Sequence, residues 1–150
     1  MTNVDIRPAE LSDITEMVGL LESLFALEED FAFDAAKQAK GIQLLLEDDH
    51  CRFQVAEYDG RVVGMCSAQW VYSTSEGAKS AWIEDLVVAG EMRGRQIGKR
   101  LLDSVLEWSK AQGCTRAQLV YDQDNQPAIG FYRHQGWQQT NLGVFKYSIK

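Results

Sequence analysis

Near residue 50 the spacing of apolar residues changes period, and this change constrains the fold more than any other feature. Before it, Ile14, Met17, Val18, Leu21, Leu24 and Phe25 recur at three- and four-residue intervals, the spacing of one helix face. Ser12 or Asp13 is placed to cap that helix. The acidic region 26–50, with Glu28, Glu29 and Asp30 and then Ala35 to Asp48, continues in helical rhythm. After the change, Arg52 to Tyr58 alternates in the manner of a strand. Asp59 and Gly60 supply a two-residue hairpin turn, and Arg61 to Tyr72 returns as a longer strand. A chain that switches from period 3.6 to period 2 and back within one domain length is an α/β protein.

The remaining elements follow from the same rule. Val4 to Arg7 forms a short first strand. Ala81 to Val88 is a third long strand, and a helix runs from about Gly98 to Gln112 with Ile97, Leu101, Val105 and Trp108 on one side. Ala117 to Tyr121 is a strand, Asn125 to Gln135 a short helix, and Val144 to Ile149 an alternating terminal strand. The order is β-α-α-β-β-β-α-β-α-β. It predicts a mixed, mostly antiparallel sheet flanked by helices, in one domain spanning residues 1–150.

Several classes of function are excluded by composition. The net charge is −7 at pH 7, which disfavours nucleic acid as a partner because phosphate neutralisation needs a basic face. No stretch approaches the roughly 20 apolar residues of a membrane span, and the opening MTNVDIRPAELSD has neither the apolar core nor the cleavage site of a signal peptide. Cys51, Cys66 and Cys114 are odd in number and widely spaced, with no CxxC pair. They predict reduced core thiols in a cytoplasmic protein and no metal site.

Against that acidic background, Glu91 to Arg100 reads EMRGRQIGKR, with four cations and two glycines in ten residues. The segment joins a strand to a helix, where backbone amides and the helix dipole favour an anion. Cations at a helix N-terminus oppose the dipole by about 0.3–1 kcal/mol each, so Arg93, Arg95, Lys99 and Arg100 there point to a bound phosphate. A Walker loop is excluded, because Gly94 to Gly98 is one residue short and Arg100 stands where a Ser or Thr is required. GxGxxG is absent, and no aromatic residues interleave for RNA.

The segment IEDLVVAGEMRGRQIGKRLLDSV resembles the acetyl-CoA-binding segment of GNAT-type N-acetyltransferases, whose pattern is Arg/Gln-x-x-Gly-x-Gly/Ala after a strand ending in Val. Arg93 and Gly98 match its outer positions, while Gln96 stands where the family usually has glycine. NQPAIGFYRHQGW, from Asn125 to Trp137, is similar to the family's later Asn-x-x-Ala-x-x-Phe-Tyr motif, and IRPAELSD to its opening. The resemblance covers nearly the whole chain and is weakest from Phe25 to Asp49.

Acetyl-CoA as co-substrate is what this resemblance implies, held by Leu86, Val87, Val88, Arg93, Gly94, Arg95, Gln96, Ile97, Gly98, Lys99, Asn125 and Tyr132. Amides near Val87 and Val88 would polarise the acetyl carbonyl, and Asn125 would bond the pantetheine arm or cap its helix. Tyr132 is implied as the acid for the departing thiolate, a role open to a phenol of pKa about 10. An amine that is mostly ammonium at neutral pH needs a base. Strict alternation from Ala81 to Val88 places Trp82, Glu84, Leu86 and Val88 on one face and Ile83, Asp85 and Val87 on the other. WIEDLVV resembles the strand of diamine (spermidine/spermine) acetyltransferases whose Glu-Asp pair faces the amine, which makes Glu84 the expected base and Asp85 its competitor. The expected acceptor is a small amine or polyamine. A peptide, protein or amino-acid amine, or a non-catalytic acyl-CoA-binding module, is the alternative. Homodimers are common in the family, and the terminal strand offers an edge for pairing.

Overall fold

The computed structural model describes residues 3–27 and 32–149. Two compact units make up the chain, Met1–Val120 and Tyr121–Lys150.

In the first unit a five-stranded sheet carries the strands in chain order: β1 (Asp5–Pro8), β2 (Cys51–Tyr58), β3 (Arg61–Ser73), β4 (Ala78–Val88) and β5 (Cys114–Leu119). Neighbours are antiparallel except β4 and β5, which run parallel. The helix α3 (Ile97–Ala111) links that parallel pair, because parallel neighbours need a crossover rather than a tight turn. Between β2 and β3, Tyr58 pairs with Arg61 around Asp59 (φ 51°) and Gly60 (φ 73°). Two left-handed residues in succession make the turn that matches strand twist, and Asp and Gly adopt them at low cost.

Helices cover both faces. On one, α1 (Ile14–Phe25) and α2 (Ala35–Leu46) bury Met17, Leu20, Leu21 and Ile42 against Phe53, Val55, Val62, Met65 and Val87. On the other, α3 buries Ile97, Leu101, Leu102 and Val105. Gly64 admits α3 closely: a Cβ there would lie 3.0 Å from Leu101 Cδ1 and 3.3 Å from the Val87 carbonyl.

The N-terminal strand is locked to the first helix by charge. Arg7 donates from Nη1 to Asp13 Oδ2 at 2.8 Å and from Nη2 to Asp13 Oδ1 at 3.0 Å, while Nη2 also reaches Glu57 Oε1 at 2.8 Å. The bidentate guanidinium holds the buried Asp13 carboxyl below its usual range. Asp13 stands at the N-cap of α1 as expected, yet its side chain does not cap that helix. It accepts instead from Arg7 and from Glu10 N, closing a short 3-10 turn over Leu11–Asp13.

Three expectations need correction. Among the described residues of 26–50, helical rhythm yields only Ala35–Leu46, which starts where Asp34 accepts from Lys37 N; residues 32–34 are irregular. Glu28, Glu29 and Asp30 lie outside the described residues. β5 begins three residues earlier than its apolar run, at Cys114. The strand expected over Val144 to Ile149 does not form among the described residues, and Val144, Phe145, Tyr147 and Ile149 are exposed. Alternation prepares a segment for pairing, but a strand exists only where a neighbour supplies its hydrogen bonds.

In the second unit, α4 (Gln126–His134) begins with the Asn125 side chain accepting from Ala128 N at 3.2 Å and Pro127 in its first turn.

Candidate active site

The junction of β4, the following turn and α3 departs from regular structure at every step. Pairing between β4 and β5 ends at Ile83 with Leu119. From Glu84 to Val88 the β5-facing side of β4 therefore has no strand partner among the described residues, although its other side stays paired to β3. Leu86 and Val88 are half-buried and Val87 is buried in the core.

A bulge lies in the same stretch. Ser67 pairs with Glu84 and Met65 with Val87, so that Asp85 and Leu86 together oppose the single residue Cys66. Asp85 takes a left-handed backbone, φ 56°. The extra residue breaks the strict alternation expected of this strand: Glu84 shares its face with Trp82 and Val87, not with Leu86 and Val88. Ile83 faces the opposite way, toward α3. The two acidic neighbours thus part company. Glu84 is exposed, and its Oε1 accepts from Trp82 Nε1 at 2.7 Å. Asp85 lies closer to Cys66, whose thiol is pushed up by burial and further by the Asp85 charge. A thiol so held is a core group rather than a nucleophile.

Beyond β4, Gly90–Met92 forms a 3-10 turn anchored by buried Met92. Gly94 (φ 79°) and Gln96 (φ 63°) then take left-handed backbone. Gln96 thus adopts the conformation that a glycine would reach without cost, which for a side chain with a Cβ costs about 1 kcal/mol. It is also the N-cap of α3, yet its side chain accepts no amide of the first turn, and that turn contains no acidic residue. The first amides of a helix have no intrahelical acceptor. Here they open among Arg93, Arg95, Lys99 and Arg100, all exposed. The Arg95 guanidinium carbon is 5.8 Å from the Tyr58 ring centroid, and Lys99 Nζ pairs with Asp103 Oδ2 at 2.6 Å one turn on. Ile97 is buried and fixes the helix start to the sheet, while Gly98 is half-buried. An uncapped helix start with four exposed cations within its own turn and first helical turn is suited to an anion.

Leu86, Val87, Val88, Arg93, Gly94, Arg95, Gln96, Ile97, Gly98 and Lys99 are brought together at this junction, with Glu84 at its edge. Asn125 and Tyr132 belong to the second unit. Tyr132 is half-buried, with its ring edge-on to Phe131 (centroids 5.3 Å) and to Trp137 (5.8 Å), and its carbonyl accepts from Trp137 N at 3.0 Å. Trp137 thereby closes the end of α4. Sequence reasoning missed two features: Trp82 as the partner of Glu84, and the Arg7–Asp13–Glu57 cluster. The i, i+2 spacing of Trp82 and Glu84 on a strand was the available signal for the first. The second joins residues 50 positions apart.

The profile of the acetyltransferase (GNAT) family matches residues 18–137. The chain belongs to the GNAT family. This acetyltransferase is 30% identical over 143 residues to an uncharacterized N-acetyltransferase of Archaeoglobus fulgidus, covering 93% of the chain and 97% of its relative. It is 26% identical over 142 residues to the aminoalkylphosphonate N-acetyltransferase of Salmonella typhimurium, covering 95% and 90%. It covers 62% of an uncharacterized N-acetyltransferase of Methanocaldococcus jannaschii, at 27% identity. Among solved structures, an aminoglycoside N-acetyltransferase in complex with CoA superposes with a TM-score of 0.86 at 19% identity, covering 99% of this chain and 96% of that one. The mixed α/β fold is therefore the GNAT fold, and the protein is an acyltransferase. Among the described residues no helix is long and apolar enough to cross a membrane.

Proposed function

We propose that this GNAT protein transfers acetyl from acetyl-CoA to a small amine, in a ternary complex and without an acyl-enzyme. The observation that carries the reading is the β4–α3 junction: open backbone on β4, an uncapped helix start, and four cations around it. The cofactor's phosphates meet the first-turn amides with Arg93, Arg95 and Lys99. Its thioester lies along the unpaired side of β4, where amides near Val87 and Val88 polarise the carbonyl. Glu84 removes the ammonium proton, directly or through one water. The amine nitrogen then bonds the acetyl carbon, the carbon–sulfur bond breaks, and Tyr132 protonates the departing thiolate. Asn125 serves its helix as N-cap. Both units act as one acetyltransferase domain, a reading supported by a family match that runs across both.

A small cationic acceptor fits the net charge of −7, and the similarity to an aminoalkylphosphonate N-acetyltransferase supports a small-molecule amine over a protein. Polyamines stay in the acceptor class because of WIEDLVV. Thiol release from acetyl-CoA against spermidine, aminomethylphosphonate, an aminoglycoside and an N-terminal peptide tests this reading. Stimulation by either of the first two above the water rate supports it, and stimulation by the peptide alone overturns it. Tyr132→Phe at unchanged fold is expected to lower kcat at least tenfold; full activity removes Tyr132 as the acid.

The active form in this reading is a cytoplasmic homodimer. Leu142, Val144, Phe145, Tyr147 and Ile149 are exposed, and the outer edge of β5 has no partner among the described residues. Exposed apolar residues in strand rhythm and a free sheet edge are what a second copy covers. Sedimentation at twice the chain mass is expected, and a monomer at micromolar concentration overturns it. The free cysteines Cys51, Cys66 and Cys114 suit a reducing compartment.

A further inference from the structure

We infer that Trp82 and Ser67 are positioning residues that hold Glu84 at the edge of the β4 bulge, an inference that rests on the proposed reading of Glu84 as the base. Glu84 is an exposed residue on a strand, and an exposed glutamate side chain ordinarily samples many rotamers. One bond restricts this side chain and another the backbone that carries it. Its Oε1 accepts from the Trp82 indole N–H at 2.7 Å, a charge-assisted bond from a donor with a single direction. Its backbone carbonyl accepts from the hydroxyl of Ser67 at 3.1 Å. Ser67 is 1% exposed and sits opposite Glu84 in the β3–β4 register, so this donor cannot wander.

Location gives these bonds their significance. The Ser67–Glu84 pair is the last regular one before the bulge, and Asp85 immediately follows with a left-handed backbone. A bulge re-aims the side chains around it. Without an anchor at its first residue, the insertion could slide by one position and exchange the faces of Glu84 and Asp85. The Ser67 hydroxyl fixes the backbone on the Glu84 side of the insertion, and the Trp82 indole fixes the carboxylate. With both bonds formed, one Glu84 oxygen is committed to the protein and the other is left to accept a proton from an incoming ammonium. Trp82 itself touches no reacting atom in this arrangement. Its effect on rate therefore passes through Glu84 alone.

The test is a cycle of Trp82→Phe, Glu84→Gln and the double variant, with steady-state rates on whichever of spermidine or aminomethylphosphonate is the better acceptor. Phe keeps an aromatic ring on the same face but removes the indole N–H together with the pyrrole ring that carries it. Trp82→Phe is expected to lower kcat about fivefold or more, with KM for acetyl-CoA unchanged and no further loss in the Glu84→Gln background. An equal loss in both backgrounds overturns the positioning role while leaving Glu84 as base. A fully active Glu84→Gln overturns the base reading itself, so the two failures are distinguishable. An independent readout needs no turnover. The Trp82 indole proton resonance, identified by its absence in Trp82→Phe, is expected to move in Glu84→Gln while those of Trp70, Trp108 and Trp137 stay in place. An unmoved resonance overturns the hydrogen bond.

Discussion

The Asp59–Gly60 turn and the Arg93–Gly98 turn both depend on left-handed backbone, and they use it in opposite ways. In the hairpin the two positive φ angles fall on Asp and Gly, and the residues flanking the turn are paired, Tyr58 with Arg61 and Glu57 with Val62. In the β4–α3 turn one of the positive φ angles falls on Gln96, at a helix start with no capping side chain and with cations where acids are favoured. The first turn is locally optimal and asks nothing of a ligand. The second retains backbone strain, an uncapped helix start and cations at the end of a helix whose dipole disfavours them, none of which folding alone rewards. Such a concentration of local costs fits the proposed cofactor-binding role of this turn, in which a ligand would supply the missing interactions.

The sharpest way to break this comparison is to remove function without touching stability. Glu84→Gln is expected to lower kcat by about 100-fold, within the range for a lost general base, while its melting temperature stays close to that of the parent. A rate within threefold of the parent would take Glu84 out of the chemistry. The reverse experiment targets the scaffold. Gly64→Val drives methyl groups toward Leu101 and the Val87 carbonyl, and about 3 kcal/mol of lost stability in urea titration is expected.

Arg7→Met probes the other charged cluster, expected to serve stability alone. It leaves buried Asp13 without its guanidinium and should cost about 2 kcal/mol, less than a fully buried broken pair because Arg7 is partly exposed. Since Arg7 lowers the Asp13 carboxyl in the folded protein, the contribution is present above the unfolded carboxylate pKa of about 4 and fades as pH falls through the lowered folded value. The stability gap between parent and variant should therefore narrow on acidification. A gap that is flat with pH would mean that Arg7 acts through packing. The smallest effect is expected at Gln96. Gln96→Gly relieves the left-handed strain and should change stability by about 1 kcal/mol or less, a gain where the strain outweighs the added chain entropy. A clear loss would show that the Gln96 side chain holds the turn in some way besides its backbone.

Much of the fold was legible because its signals are local. The hairpin at Asp59 and Gly60, the sheet-facing stripe Ile97, Leu101 and Val105, and the Asn125 cap all follow from spacing and residue type over a few positions. The candidate cofactor turn was legible for the same reason, since its cations and glycines are contiguous. What escaped was non-local. A bulge is a count of residues on one strand against another, so WIEDLVV alone could not reveal that Asp85 and Leu86 share one partner and that Val87 changes face. Arg7 and Asp13 look like a solvated charge and a helix cap until Glu57 arrives from β2. The strand rhythm of 144–149 describes a face that was ready to pack, and packing alone decides whether the element forms.

The sequence by itself therefore determined the class of fold, the place of the candidate anion site and the pair of acids before it in the chain, because periodicity, turn chemistry and charge are properties of neighbouring residues. Tertiary structure alone decided which acid shares a face with Trp82, where β4 loses its partner strand, and why Gln96 can stand where glycine is usual. Those outcomes depend on register and on backbone angles imposed by strands far away in the chain.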